Sequence, residues 1–352
     1  MKPFLIYILV ISLSAMLIPA AAAANIETDD AGVASSLVSY EHHWYRGGAS
    51  KAAQYDAIAL NENTFTQFKV LDCETNTVFE ISARDYVVGA VCAEMPASFE
   101  AEALKAQAVA IYTYAVRKTL DEMENPTEEL CGANFTNDPN RHLAFYNDEQ
   151  IKALYGENYD EYYAKVCSAV DEVFGQVLIY EGEPIVAAFH SMSSGRTENA
   201  ENIWGHKTDY LVAVDSAWDT LCTDFTTQTV IAAEDMRQIL DDNIEGVVLG
   251  QAPEEWIKIL SISESQTVLQ MQIGGVTVSG TQLRTLLGLR SASFEFSFSQ
   301  QQGFVFTCKG FGHGVGMSQH GANEMAKNSY SYNEILFHYY QNTKIAEIEI
   351  VF

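Results

Sequence analysis

Several short segments of the chain alternate apolar and polar residues, which is the pattern of β-strands with one buried face. The segments TFTQFKVLD (64–72) and TVFEIS (77–82) flank the polar turn CETN, so together they predict a hairpin. A second hairpin is predicted over 176–189, where QVLIY and IVAAF flank the turn EGEP. The segment ASFEFSFS (292–299) alternates in the same way, and IAEIEIVF (345–352) predicts a closing strand.

The clearest helical pattern covers residues 99–118, which are rich in alanine. One stripe of this segment follows the helical period of 3.6 residues and contains Leu104, Ala108, Ile111 and Ala115. Alanine also lies on the opposite side of the helical wheel, so the predicted helix is apolar nearly all round and should be buried. Lys105 and Gln107 are the notable polar residues in its body, and a buried lysine needs a partner.

Shorter helical patterns complete the predicted fold. A short helix is expected to end near Glu94 because Pro96 stops it, and longer helices cover 158–175 and 331–340. A glycine-rich segment opens a further helix near Met317. Helices and strands are mixed without regular β-α-β alternation. The predicted fold class is therefore α+β, with mixed helices and mostly antiparallel strands around a central buried helix.

The N-terminus predicts export from the cytoplasm. Lys2 precedes an uninterrupted run of apolar or small residues over 3–24, which is long enough for a transmembrane anchor. The run also suits a long signal peptide, because the three alanines at 22–24 form a small-residue cleavage site. Both alternatives place residues 25–352 outside the cytoplasm. The predicted organisation is an anchor or signal over 1–24, a stalk or lead-in over 25–64, and one folded domain over 65–352.

Composition and charge narrow the classes of partner. The 352 residues include 20 Lys and Arg against 47 Asp and Glu, so the formal net charge is −27. Such a chain repels phosphate backbones and carries no basic stripe, which disfavours nucleic acid as a partner. The six cysteines show no C-x-x-C spacing, which argues against a zinc ribbon or a thioredoxin-like centre. Export permits disulfides, although small buried hydrophobic cysteines are the simpler expectation.

Glu94 is a candidate acid–base residue. Its neighbours Val91, Ala93, Met95 and Pro96 are all apolar. Loss of water around a carboxyl group raises its pKa, and a carboxylic acid poised near neutral pH suits general acid–base catalysis. The simpler alternative is a solvated glutamate at a helix end.

Two further segments combine histidine with small residues. FHSMSSGRT places His190, Ser191 and Ser193 directly after a predicted strand, where they favour hydrogen bonding to a substrate. The alternative is a polar turn that satisfies its own backbone, and no G-x-S-x-G elbow indicates a hydrolase triad. GFGHGVGMSQHG surrounds His313 with glycines, which let the backbone approach a ligand closely or form a tightly packed turn.

The order of these motifs resembles that of the stage II sporulation protein D family. The matching segments are AEMPASFEAEALKAQAVA, FHS with a following G-x-T, DYLVAVDS and GHGVGMSQ-x-GA, spread over roughly residues 65–345. The family consists of peptidoglycan lytic transglycosylases of spore-forming bacteria that act in cell-wall remodelling during engulfment. The resemblance implies cleavage of the β-1,4 bond between N-acetylmuramic acid and N-acetylglucosamine in peptide-stripped glycan strands, which leaves 1,6-anhydro ends.

The resemblance also implies residue roles and partners. The catalytic acid/base glutamate of the family falls on Glu94. The substrate-binding positions fall on Lys105, Gln107, Tyr112, His190, Ser191, Ser193, His313, Ser318 and Gln319. No cofactor is implied. The expected partners are peptidoglycan glycan strands, a cell-wall amidase that strips the peptides, and the membrane through the N-terminal segment.

Some positions depart from the family pattern. Tyr112 stands where an arginine is common, on the same helix face as Lys105, so a substrate-facing cation is predicted to be missing. The family's zinc-binding form carries extra Cys and His residues near Cys131 and His142. Here Leu143 follows His142 where a cysteine is expected, so the zinc ligand set is incomplete.

The departures leave a second function open. A non-catalytic cell-wall-binding protein could enhance an N-acetylmuramoyl-L-alanine amidase without cleaving glycan. The loss of arginine at Tyr112 favours this alternative, whereas Glu94 favours the enzyme.

Overall fold

The structure, a computed structural model, describes residues 65–348. The predicted anchor or signal (1–24), the predicted stalk (25–64) and residues 349–352 lie outside the described part. Within 65–348, no helix is long and apolar enough to cross a membrane. Helices and mostly antiparallel sheets are mixed along the chain, which confirms the predicted α+β class.

Helices and strands follow one another irregularly along the described chain. The helices are α1 (Ala83–Glu94), α2 (Ala101–Glu124), α3 (Asp148–Tyr155), α4 (Tyr159–Val173), α5 (Ala200–Trp204), α6 (Ala233–Asn243), α7 (Gly280–Leu287), α8 (Gln319–Lys327) and α9 (Tyr332–Tyr339). The strands are β1 (Gln67–Asp72), β2 (Thr77–Ser82), β3 (Phe135–Thr136), β4 (Gln176–Tyr180), β5 (Glu183–Pro184), β6 (Phe189–His190), β7 (Thr226–Ile231), β8 (Ile257–Ile262), β9 (Val268–Ile273), β10 (Val276–Val278), β11 (Phe294–Ser299), β12 (Gly303–Lys309), β13 (Met317–Ser318) and β14 (Lys344–Glu347).

Helix α2 is the predicted central helix, and its burial confirms that prediction. Small alanine side chains on most of its sides let α1, α4, α8 and β4 pack closely against it. The helix begins at Ala101 and ends at Glu124, so both ends lie further along the chain than the predicted 99–118. The backbone N–H of Glu100, which stands at the N-cap position, donates to the side chain of Asn323 (2.8 Å). The start of α2 is thereby tied to α8.

An aromatic cluster holds α1 against the first sheet. Strands β1 and β2 form the predicted hairpin, and β3 adds to β1 in parallel. The ring of Phe68 in β1 lies 5.5 Å from that of Tyr86 in α1 and 6.3 Å from that of Tyr112 in α2. Phe135 in β3 closes the cluster, with its ring 4.7 Å from that of Tyr86. Because α1 is packed in this way, its C-terminal residue Glu94 has a defined position.

Residues 226–309 build a second core. The sheet β11-β12-β7 and the sheet β10-β9-β8 are both antiparallel, and α6 and α7 pack with them. Trp256 and Phe304 stack at 5.8 Å inside this core. The first core contains none of these residues. The predicted single domain over 65–352 thus contains two large hydrophobic cores in its described part, beside a small cluster of Leu71, Leu130 and Ala133.

The predicted hairpin over 176–189 forms only in part. Strand β4 pairs with β14 and with just two residues in β5, both antiparallel. The chain then turns away, and β6 pairs in parallel with β13. Gly316 permits this pairing, because its φ is 75° and a side chain there would collide with the carbonyl group of Ala188. The pairing brings His190 beside the glycine-rich segment.

Gly89 offers a test of the packing around α1. A β-carbon at this position would come within 2.5 Å of the carbonyl oxygen of Tyr146 and would collide with the ring of Phe145. We expect Gly89→Ala to lower the free energy of unfolding by about 1–3 kcal/mol, because overpacking forces neighbouring groups to move. Gly250→Ala is the control, since a β-carbon there meets nothing within 4 Å. Urea unfolding compares the two variants, and equal stabilities would contradict this packing.

Candidate active site

Glu94 is the last residue of α1 and is half-buried. Pro96 ends the helix, as predicted, so the carboxyl group stands at a helix terminus. Its Oε1 atom accepts a hydrogen bond of 2.9 Å from the backbone N–H of Ala144. The same segment is held to α1 by a hydrogen bond from the N–H of Tyr146 to the carbonyl oxygen of Gly89 (3.2 Å). The backbone of residues 144–146 thus helps to orient the carboxyl group.

The negative charge of Glu94 affects the pKa of two tyrosines. Burial raises the pKa of Tyr86 and of Tyr146, and the negative charge of Glu94 raises both pKa values further. The Tyr86 ring also stacks on Phe145 at 5.6 Å. Both phenols therefore stay protonated at neutral pH, and the surroundings of Glu94 are largely aromatic. These tyrosines were missed in the sequence, because Tyr86 lies eight residues from Glu94 and Tyr146 lies on another segment.

Gln319 joins Glu94 to the other two motifs. Its Nε2 atom donates to the backbone carbonyl oxygen of Glu94 (2.8 Å). The preceding residue, Ser318, is the register partner of His190 in the parallel pair of β13 and β6. The N–H of His320 donates to the carbonyl oxygen of Ser191 (3.0 Å). The three motifs predicted from the sequence are therefore contiguous in the fold.

His190 and His313 form a buried pair. Their ring centroids lie 5.6 Å apart, and the side chains are 4% and 7% exposed. The close approach depends on Gly312, where a β-carbon would lie 2.8 Å from that of His190 and where φ is 109°. The Trp204 ring lies 5.5 Å from the His313 ring and extends the cluster towards α5.

Hydrogen bonding sets the proton positions of the two rings. His190 Nδ1 lies 3.1 Å from the carbonyl oxygen of Val315, so this nitrogen carries the proton. His313 Nδ1 accepts from the N–H of Val315 (3.0 Å), so a neutral ring carries its proton on Nε2. Burial lowers the pKa of His190 to about 4 and lowers that of His313 as well. At neutral pH, Nε2 of His190 is therefore an acceptor and Nε2 of His313 is a donor, and both nitrogens are buried.

Asp219 is a buried carboxylate that the sequence analysis missed. It accepts hydrogen bonds from the N–H and hydroxyl of Ser193, from the hydroxyl of Ser216 (2.9 Å) and from the hydroxyl of Ser318 (2.7 Å). Burial raises the pKa of Asp219, while these hydrogen bonds lower it. Ser193 and Ser318, predicted to bind substrate, use their hydroxyls on Asp219. Its sequence neighbours form no pattern that marks Asp219 in advance.

Glu198 is a second buried carboxylate missed in the sequence. Its Oε1 accepts from the side chain of Asn202 (2.7 Å) and from the N–H of Asn199 (2.8 Å). Its Oε2 accepts from the hydroxyl of Ser263, which belongs to the segment of the second core. The N–H of Glu198 donates to the carbonyl oxygen of Gly314 (2.7 Å). Glu198 therefore connects the glycine-rich segment to the second core.

The three predicted residues in α2 lie apart from this cluster or inside the core. Lys105 is ion-paired with Glu102 (2.7 Å) and Glu172 (2.6 Å), which supply the partners that a buried lysine needs. Tyr112 is 1% exposed, and its hydroxyl donates to the carbonyl oxygen of Phe65 (3.3 Å). Burial raises the pKa of Tyr112. The structure does not bring Lys105 or Tyr112 beside the histidine pair.

Gln107 points the other way from Lys105, because two positions along a helix correspond to about 200° of rotation. It is fully buried, and neither amide atom has a hydrogen-bond partner among the described residues. A buried amide without a partner is costly, so Gln107 is a strained polar position in the centre of the first core.

Two arginine side chains near the histidines belong to residues 226–309, which build the second core. The Arg290 guanidinium lies 4.4 Å over the ring of Phe311, two residues before His313. After the effect of burial, the positive charge of Arg284 lowers the pKa of both His190 and His313. Neither arginine belongs to a motif that the sequence analysis used. Arg284 and Arg290 thus place positive charge close to the glycine-rich segment.

Cys131 and His142, the two positions weighed as zinc ligands, have the following surroundings. His142 Nδ1 accepts from the N–H of Thr136 (3.3 Å), and Cys131 is exposed. Over residues 65–348, no group of three or more His, Cys, Asp or Glu side chains is arranged to hold a metal ion.

Known proteins are similar to this chain. The family model for stage II sporulation protein matches residues 72–180, which include Glu94. Stage II sporulation protein D of Bacillus subtilis (strain 168) is 35% identical over 274 residues, which cover 78% of this chain and 77% of the relative. The protein of the same name from Bacillus amyloliquefaciens is 36% identical over 275 residues, with the same coverage.

The chain belongs to the stage II sporulation protein D family. A more distant relative is named amidase enhancer, from Bacillus subtilis (strain 168), and is 27% identical over 73% of this chain and 40% of the relative. The histidine pair and Asp219 lie beyond the residues that the family model matches, but the two Bacillus relatives of the stage II sporulation protein D family align over most of the chain.

The buried histidines predict how the stability of this family member depends on pH. An unfolded histidine has a pKa of about 6.5, and His190 has a pKa of about 4 in the folded protein. The folded state binds fewer protons, so stability is complete above pH 6.5 and is lost as the pH falls towards 4. We expect His190 to account for a loss of about 3 kcal/mol over that window.

Urea unfolding at a series of pH values measures this loss. His190→Gln should make the free energy of unfolding depend less on pH between 6.5 and 4. The exposed control His206→Gln should leave that dependence unchanged. An identical slope in wild type and His190→Gln would contradict the placement of a neutral histidine at this position.

Asp219 should stabilise the fold through its serine partners. We expect Asp219→Ala to lower the free energy of unfolding by about 3 kcal/mol, because Ser193, Ser216 and Ser318 would lose their buried acceptor. Asp215→Ala is the control, since Asp215 is exposed and nearby in sequence. Chemical denaturation measures both, and a loss below about 0.5 kcal/mol for Asp219→Ala would contradict a structural role.

Proposed function

We propose that this protein is a peptidoglycan lytic transglycosylase, with Glu94 as its single catalytic carboxyl group. The observation that carries the proposal is the setting of Glu94: a half-buried carboxyl group, oriented by the Ala144 N–H and joined through Gln319 to the histidine segment. A positioned carboxyl group in a low-polarity site suits proton transfer to a sugar oxygen. Membership of the stage II sporulation protein D family supports the assignment.

The other buried carboxylates of this region favour a mechanism with one acid. Glycosidases use two carboxyl groups, of which one acts as acid and the other as base or nucleophile. Asp219 accepts from three serines, and Glu198 accepts from Asn199, Asn202 and Ser263. Both carboxylates are therefore engaged in holding the fold. A reaction that needs one carboxyl group fits this arrangement.

Glu94 acts twice in the proposed reaction. Protonated Glu94 donates its proton to the glycosidic oxygen between N-acetylmuramic acid and N-acetylglucosamine, and the bond from C1 to that oxygen breaks. The C6 hydroxyl oxygen of the same muramic acid forms a new bond to C1 and releases its proton to the Glu94 carboxylate. The products are a 1,6-anhydro end and a free C4 hydroxyl, and no water is consumed. The attack is intramolecular, so the sugar itself supplies the nucleophile in position.

The neutral histidines fit a role in shaping the substrate site. Their Nε2 atoms are buried, so the enclosed rings support the segments around the site rather than offering a polar atom to the sugar. We place Ser191 and Gln319 with them, because their backbone and side-chain contacts adjoin Glu94.

The proposed setting is the cell wall during spore engulfment. The N-terminal segment over 1–24 would place the catalytic part outside the cytoplasm, as an anchor or as a cleaved signal. A cell-wall amidase is the proposed partner, because removal of stem peptides would expose the glycan strand.

A second candidate function is enhancement of that amidase. The relative named amidase enhancer supports it, and so does the burial of Tyr112 where the family commonly has arginine. An enhancer would bind glycan without cleaving it and would not depend on the Glu94 carboxyl group.

Product masses discriminate the two candidates. The full-length chain in detergent is incubated with peptide-stripped glycan strands, and the ends are analysed by mass spectrometry. We expect new ends that are lighter by one water than hydrolytic ends. Glu94→Gln should reduce the rate at least about 100-fold, because an amide has no acidic proton to donate.

The matched control is Glu157→Gln, which removes an exposed glutamate away from the site and should leave the rate unchanged. Hydrated, reducing ends would contradict the single-carboxyl mechanism. Binding of glycan without cleavage, unaffected by Glu94→Gln, would favour the enhancer.

A further inference from the structure

A groove of about 900 Å³ lies where the second core meets α5. One wall is formed by α5, including Ile203 and Trp204, and the opposite wall by β9, β10, α7 and the end of α6. Its volume falls in the range of pockets that hold small ligands, about 300–1,000 Å³, and such pockets favour boundaries between folded units. Neither the family motifs nor the proposed catalytic group use these residues.

The lining of the groove is neutral and mixed. Side-chain amides and hydroxyls come from Asn202, Asn243, Thr277, Thr281 and Thr285, and Glu245 is the one charged residue among the lining groups. A lining without Lys or Arg does not suit a polyanion such as a phosphate-linked polymer. Amides and hydroxyls beside an aromatic ring suit an uncharged ligand that has both polar edges and an apolar face.

The groove adjoins the proposed catalytic region through one side chain. Trp204 lines the groove and is half-buried, and its ring lies 5.5 Å from that of His313. His313 in turn lies 5.6 Å from His190. The second core is held against this region by buried hydrogen bonds, among them Ser263 to Glu198 and the Ser265 hydroxyl to the carbonyl oxygen of Thr197 (2.6 Å). The two walls of the groove are therefore kept in place.

We infer that this groove binds an uncharged, N-acetylated stretch of the glycan strand beyond the bond that is cut, with Trp204 as the stacking surface. The inference rests on the proposed function, because a strand cut near Glu94 would reach the groove along the segments that enclose the histidine pair, where the Trp204 ring lies 5.5 Å from that of His313. The second core then acts as a strand-binding wall that sets how long a substrate must be. Glycan of two sugars fills only the catalytic end, whereas a longer strand gains the contacts of the groove.

Binding measurements on the full-length chain in detergent test the inference. The probes are peptide-stripped glycan fragments of two and of eight sugars, titrated calorimetrically into Glu94→Gln protein so that they are not cut. In that background, Trp204→Ala should weaken binding of the eight-sugar fragment at least tenfold and change binding of the two-sugar fragment less than twofold. Thr285→Trp adds bulk at an exposed position of the groove and should also weaken binding of the eight-sugar fragment.

Thr226→Trp is the matched control, because Thr226 is exposed on β7 and does not line the groove. It should leave both affinities unchanged. Unchanged binding of the eight-sugar fragment by folded Trp204→Ala and Thr285→Trp proteins would overturn the inference, and so would an equal loss for both fragments. If the groove variants instead lose binding to a cell-wall amidase and keep their affinity for glycan, the groove is a protein-docking site and the inference is wrong.

The outcome is independent of the cleavage assay. Length-dependent binding that requires Trp204, in a protein that makes no 1,6-anhydro ends, would support the groove and reject the catalytic proposal. If wild type and Trp204→Ala both form 1,6-anhydro ends with equal efficiency on short and long strands, the catalytic proposal would be supported and the groove rejected.

Discussion

The buried carboxylate of Asp219 is the contact on which the arrangement of the site depends. Three segments meet at its two oxygens through Ser193, Ser216 and Ser318, and the Ser216 hydroxyl also contacts that of Tyr339 (2.8 Å). These segments carry the His190 strand end, the turn that follows residue 215, and the start of α8. A carboxylate removed from water is stable only when hydrogen bonds replace its solvent, so the segments must come together for the chain to fold.

That constraint explains why the histidine pair can be neutral and close. With β6 and β13 held side by side, Gly312 and Gly316 are needed where backbones approach too closely for side chains. The rings of His190 and His313 are then enclosed, and enclosure favours their uncharged forms. The chain is strongly acidic as a whole, yet this enclosed pair is neutral, and Arg290 lies nearby over the ring of Phe311.

The second core contributes to the site from outside the motifs that the sequence displays. Its residues provide Arg290, which lies over the ring of Phe311, and one wall of the groove beside Trp204. Ser263 and Ser265 tie it to Glu198 and to the backbone of Thr197, so it is joined to the catalytic region by polar contacts that are buried. Loss of any one partner there would leave a buried polar group unsatisfied, which keeps the relative placement of the two cores specific.

The sequence by itself determined the elements whose pattern is local. The alternation in 64–82, the alanine-rich stripe of α2 and the helix that ends at Glu94 are set by period and by Pro96, and all three appear in the structure. Only the tertiary structure decided how distant segments meet. Periodicity carries no information on whether a serine faces a ligand or a buried aspartate, on which sheet completes the strand at His190, or on which cation lies near the glycine-rich segment. Those outcomes depend on desolvation and packing between residues up to about 200 positions apart, which no local pattern encodes.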